Sequence, residues 1–84
     1  MTTHEHAKTW TIRSAKDFGR TIADLRAQRA LTQEQLATQS GLSRNYLARL
    51  ETGLTVAMLE RVLRLLRRLD AEVIVSTRDS ETSA

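Results

Sequence analysis

The chain contains no cysteine. That absence excludes disulfides and thiolate metal sites as reinforcement, and with them the redox chemistry that would mark an oxidising compartment. No apolar stretch reaches the roughly 18 residues of a membrane-spanning helix, and the opening MTTHEHAKTW lacks the apolar run of a secretory signal. The expected location is therefore the cytoplasm, without a membrane partner. There is no Gly-rich phosphate loop and no G-x-S-x-G. Both histidines, His4 and His6, precede the region expected to fold, so no base is at hand for Ser14, Ser40, Ser43 or Ser76. The two histidines make half a metal site at most, and a flexible tail is the better reading. No enzyme, no cofactor and no metal centre is expected.

What is present is a short chain rich in arginine. Its 84 residues suit one small domain, which buries only about 60% of the surface its unfolded form exposes. Oligomerisation is the remaining way to bury more. Basic residues number 13 against 10 acids, and 11 of the 13 are arginine, whose planar fork suits bidentate contacts to phosphate, carboxylate and guanine edges. A net charge of +3 is compatible with nucleic acid but does not by itself establish it.

Residues 1–8 and 79–84 read as flexible tails around a domain at 9–78. In TWTIRS, Trp10 and Ile12 alternate with polar neighbours, the period of a short strand that the single tryptophan would anchor. Ser14 stands where an N-cap belongs, with Asp17 three residues on. Phe18, Ile22 and Leu25 then mark one face of a helix to about Gln28 or Arg29, slightly weakened by Gly19. Thr32 and Gln35 form a capping box for a second helix, Leu36 and Ala37 lie on its buried side, and Gly41 ends it. Ser43 caps a third helix, which Gly53 ends. The strongest helical pattern runs from Ala57 to Leu69. Leu59, Val62, Leu63, Leu66 and Leu69 form its apolar stripe, Met58 and Leu65 widen it, and Arg61, Arg64 and Arg68 form a polar strip that reads as a solvated face. In AEVIVSTR, Val73 and Val75 alternate with Glu72, Ile74 and Ser76 as a strand at about 71–77 would; it must pair with the strand near Trp10, with its own copy, or with both. The wide apolar arc of the last helix points to a dimer contact through Met58, Leu65, Val73, Ile74 and Val75.

Two helices joined by a tight glycine turn cannot lie antiparallel; they cross steeply, as a helix-turn-helix does. The run LTQEQLATQSGLSRNYLARLETG resembles the helix-turn-helix of the Xre family, which includes lambdoid phage repressors and HipB-type antitoxins. The shared pattern is carried by Thr32, Gln33, Leu36, Ala37, Gly41, Leu42, Ser43, Leu47, Leu50, Glu51 and Gly53, and the wider resemblance covers residues 14–69. It implies an all-α core of four or five helices in the lambda-repressor manner, with a short N-terminal strand and a C-terminal strand used in the dimer. Asp70 departs from the glycine more usual at a helix end, though aspartate tolerates the left-handed region.

The resemblance also implies roles. Arg44, Asn45 and Arg49 occupy base-reading positions; Gln33, Ser43 and Thr32 lie where phosphates are held; Arg26 and Glu51 match a structural ion pair. The expected partners are double-stranded DNA with a palindromic operator, a second copy of the chain, and a cognate toxin if the protein is the antitoxin of a toxin–antitoxin operon. The alternatives are a stand-alone transcriptional regulator or a protein-binding module with weak DNA binding.

Overall fold

Each of the first three helices begins where a hydroxyl can accept a backbone N–H. In the computed structural model, which describes residues 8–53 and 57–78, the elements run in the order β1 (Thr9–Ile12), α1 (Ala15–Gln28), α2 (Gln33–Ser40), α3 (Arg44–Thr52), α4 (Ala57–Arg68) and β2 (Val73–Ser76). Ser14, Thr32 and Ser43 are the N-caps of α1, α2 and α3, accepting from the N–H groups of Asp17, Gln35 and Tyr46. Thr32 and Gln35 complete the capping box in both directions, at 3.0 and 2.8 Å. These bonds satisfy N–H groups that have no partner within the helix. The tails at 1–7 and 79–84, with His4 and His6, lie outside the described residues.

Helix ends are equally local in origin. Gly41 and Gly53 hold φ of 72° and 78°, the left-handed conformation in which glycine carries no Cβ penalty. Two non-glycine residues adopt it too, Ala30 at 56° and Asp70 at 61°. There the chain closes with Leu31 N–H donating to Arg26 O at 3.1 Å and Ala71 N–H donating to Leu66 O at 2.8 Å. The wrapping bonds compensate for the backbone strain.

The strands pair with each other inside one chain. β1 and β2 are antiparallel, with Thr9 opposite Ser76, Trp10 opposite Val75, Thr11 opposite Ile74 and Ile12 opposite Val73. Residues directly opposite share a face. Trp10, Ile12, Val73 and Val75 therefore form one side, and Ile74 stands on the other, 52% exposed. Val73 and Val75, expected at a dimer contact, are half-buried beside their own chain's Ile12 and Trp10. Lys8, expected in the tail, extends the pairing: Thr77 N–H donates to its carbonyl at 3.0 Å and its own N–H donates to Thr77 Oγ1 at 3.2 Å.

The innermost side chains are few, three large aliphatics and two alanines. Ile12, Ala15, Ala37, Leu47 and Leu63 are each 2% exposed, one or more from β1 and from every helix. Two long-range bonds pin α4 to the start of α1: Glu60 Oε2 accepts the Ala15 N–H at 2.7 Å, and Arg67 Nη1 donates to Arg13 O. The apolar stripe of α4 divides differently from its expected grouping. Leu63 is buried and Leu59 and Leu66 half-buried, while Val62 and, just past the helix end, Leu69 face outward with Met58 and Leu65.

Candidate nucleic-acid interface

The position of α3 is set from behind. Leu47 is buried, Leu50 half-buried, and α1 crosses so closely that a Cβ on Gly19 would stand 2.3 Å from Leu50 O and 2.7 Å from Glu51 O. Gly19 is thus a contact requirement between two helix backbones. By sequence it is only a mild weakness of α1, because the residues around it say nothing of what crosses there.

A polar hub fixes the relation of three helices. Arg26 on α1 donates from Nε to Glu51 Oε2 at 2.8 Å and from Nη2 to Glu51 Oε1 at 3.1 Å, and its Nη1 donates to Leu31 O at 2.9 Å. Gln33 on α2 donates from Nε2 to Glu51 Oε1 at 2.8 Å. The Glu51 side chain is only 6% exposed and that of Arg26 20%. Burial pushes the Glu51 carboxyl upward, but the hydrogen bonds from Arg26 and Gln33 and the arginine charge together hold it below the usual carboxylate range. Its own hydrogen bonds to Glu51, helped by the carboxylate charge, raise Arg26 against the opposing effect of its burial.

This hub alters one expectation. Gln33, placed by resemblance at a phosphate, has its amide turned to Glu51, so an N–H of that group is committed to the fold. Thr32 and Ser43, the other two phosphate candidates, use their oxygens as helix caps, and each hydroxyl still has a proton to donate. Arg26, Leu31, Thr32, Gln33, Glu34 and Arg44 line a shallow open groove of about 500 Å³ between the start of α2 and the start of α3.

The opposite side of α3 is open. Arg44, Asn45 and Arg49 are all exposed, and so is Tyr46, at 48%. On a helix of 3.6 residues per turn Asn45 and Arg49 fall opposite the Leu47–Leu50 face, and Arg44 and Tyr46 stand at the two edges of that exposed arc. Tyr46 is an addition to the expected reading residues; four residues before Leu50, it stands beside the inner face by periodicity, and only its exposure in the fold brings it into the arc. The arc combines guanidinium forks, a carboxamide and an aromatic ring, the donor, acceptor and apolar groups that base edges can engage. The expected dimer residues fall elsewhere. Met58 and Leu65 are 71% and 63% exposed on α4.

Among the described residues no helix is long and apolar enough to cross a membrane. No group of three or more histidine, cysteine, aspartate or glutamate side chains suited to a metal ion is found among them. No curated protein and no solved structure matches the chain. A family model described as a helix-turn-helix domain does, over residues 17–74, from the first turn of α1 into β2. That match takes in α2, the Gly41 turn, α3 and the buried hub behind them, and covers well over half of the 84 residues; the chain belongs to this helix-turn-helix domain family.

Proposed function

We propose that the protein is a sequence-specific DNA-binding repressor that acts as a homodimer on a roughly palindromic operator. The observation that carries this reading is the exposed arc of Arg44, Asn45, Tyr46 and Arg49 on a helix whose inner face is locked by Leu47 and the Arg26–Glu51 pair. A rigid helix about 10–12 Å across fits a major groove about 12 Å wide. Arg44 and Arg49 donate to guanine edges, Asn45 pairs with adenine, and the Tyr46 ring lies against a thymine methyl or the sugar-phosphate backbone. Ser43 and Thr32 donate their hydroxyl protons to phosphates, and the remaining Gln33 N–H does the same, which sets the register. Two copies meet along the free edge of β2, with Ile74 at the contact, and place their α3 helices about 34 Å apart in successive grooves. Repression follows by occlusion of a promoter.

The test is fluorescence anisotropy on a duplex from the gene's own upstream region against a scrambled duplex, from roughly 50 to 200 mM salt. Specific binding survives salt that strips nonspecific binding, because the latter depends almost wholly on counterion release. Curves that fall together for both duplexes would reject the repressor reading.

A second reading is favoured by the exposed apolar side of α4, where Met58, Leu65 and Leu69 are each more than 60% exposed. Such a surface suits a protein partner. In this reading the protein is an antitoxin of the HipB-like kind, which neutralises a toxin encoded beside it and represses the shared operon. Coexpression with the neighbouring gene product, followed by copurification and a growth assay, tests it; a neighbour that is neither bound nor toxic would reject it.

A further inference from the structure

Met58, Val62, Leu65 and Leu69 follow one another at steps of four, three and four, and are 71, 44, 63 and 73% exposed. That spacing makes a single seam along a helix, the arrangement by which one helix lays side chains between those of another. Leu69 lies just beyond α4 but keeps the helical bond to Leu65 O at 3.1 Å. Along one edge of the seam run Arg61, Arg64 and Arg68, all exposed. Glu60, the acid on the same helix, is turned away to the Ala15 N–H. Arg26–Glu51 is the one ion pair among the described residues, so none of these three arginines is paired there.

From this we infer that the outer face of α4 is a docking seam for an amphipathic helix of a different protein, one whose apolar row is flanked by glutamate or aspartate. This deepens the protein-binding reading above and is independent of the α3 arc. Charge decides between the occupants. If a second copy packed its α4 antiparallel, the two-fold axis would bring the arginine edge against its own counterpart, where like charges repel. If it packed parallel, the arginine edge would meet the Leu59–Leu66 edge, which is half-buried against its own domain. An acidic flank instead supplies the missing counter-charge along the whole seam. A membrane surface fits less well, since the free row is one residue wide and carries no aromatic anchor.

The probe is a synthetic helix of about three heptads with leucine along its seam and glutamate on both flanks, compared with the same peptide carrying lysine on the flanks. Labelled peptide is titrated with the full chain and followed by anisotropy. The glutamate peptide should bind at least roughly tenfold more tightly than the lysine peptide, in line with several exposed ion pairs acting together. The double variant Arg61→Glu, Arg68→Glu should reverse that preference. Leu65→Asp should weaken binding by about tenfold or more with an unchanged circular dichroism spectrum, because the side chain is already largely in water. Equal binding of the two peptides, or binding of neither, overturns the proposal. So does binding to anionic phospholipid vesicles without peptide preference, or a chain that sediments as a dimer which Leu65→Asp converts to monomer. Each of these results leaves the operator assay untouched.

Discussion

Replacing Gly19 by alanine sets helix propensity against tertiary packing, with opposite signs. In the interior of α1 an alanine is more favourable than glycine by about 1 kcal/mol, so propensity alone predicts a more stable protein. The new Cβ, however, would lie 2.3 Å from Leu50 O and 2.7 Å from Glu51 O, where ordinary contact begins at 3.4 Å. The obstacle is the backbone of α3, which cannot rotate away as a side chain would, so α1 and α3 must separate by about 1 Å. Overpacking of this kind costs about 1–3 kcal/mol, and the same shift strains the Arg26–Glu51 bonds at 2.8 and 3.1 Å. The net expectation is destabilisation by about 1–2 kcal/mol, a fall of several degrees in Tm for a domain of this size.

Urea unfolding measures it directly: the midpoint falls while the slope stays constant. Operator affinity should fall further than stability alone explains, because the displaced segment is the helix that carries Arg44, Asn45 and Arg49. A Gly19→Ala protein as stable as the parent, or more so, would refute the close crossing and with it the placement of α3.

Three further outcomes follow from the same geometry. Glu51→Gln leaves the Arg26 charge without its counter-ion and should cost about 3 kcal/mol at neutral pH. Because the folded Glu51 pKa lies below its unfolded value of about 4.3, the stability it contributes is present above that value and fades as pH falls through the folded pKa; urea midpoints between about pH 6 and 2 should therefore drop less steeply for Glu51→Gln than for the parent. Ala30→Gly relieves a φ of 56° and should stabilise by about 0.5–1 kcal/mol in thermal unfolding, less than the full strain because glycine also loosens the unfolded chain; a loss of stability would contradict the left-handed turn. Arg44→Ala should weaken operator binding by about 1–3 kcal/mol and relax base preference at one position, with sedimentation unchanged; an unchanged affinity would remove Arg44 from the reading arc.

Interactions that reach only a few residues along the chain are legible in the sequence. Ser14, Thr32 and Ser43 announce their caps because the N–H groups they satisfy lie two or three residues away, and Gly41 and Gly53 announce turns because the left-handed conformation suits a residue without Cβ. The periodicity that places Leu47 and Leu50 inward also sets Asn45 and Arg49 outward. Ala30 is an exception, since nothing in its side chain marks a left-handed turn; the bond from Leu31 to Arg26 makes it one.

Chemistry within a turn or two of chain thus settles the identity and limits of the helices and the joining of α2 to α3 across one glycine, so these belong to the sequence alone. Tertiary packing decides whatever joins distant segments. It turns Gln33 to Glu51, brings Glu60 to the Ala15 N–H across 45 residues, requires Gly19 to be bare, and pairs β2 with β1 so that Val73 and Val75 face inward while Ile74 does not. It also divides the apolar arc of α4 between a buried row and a free one. Periodicity measures the width of such an arc, but which part meets the core depends on the angle at which the rest of the domain packs against it.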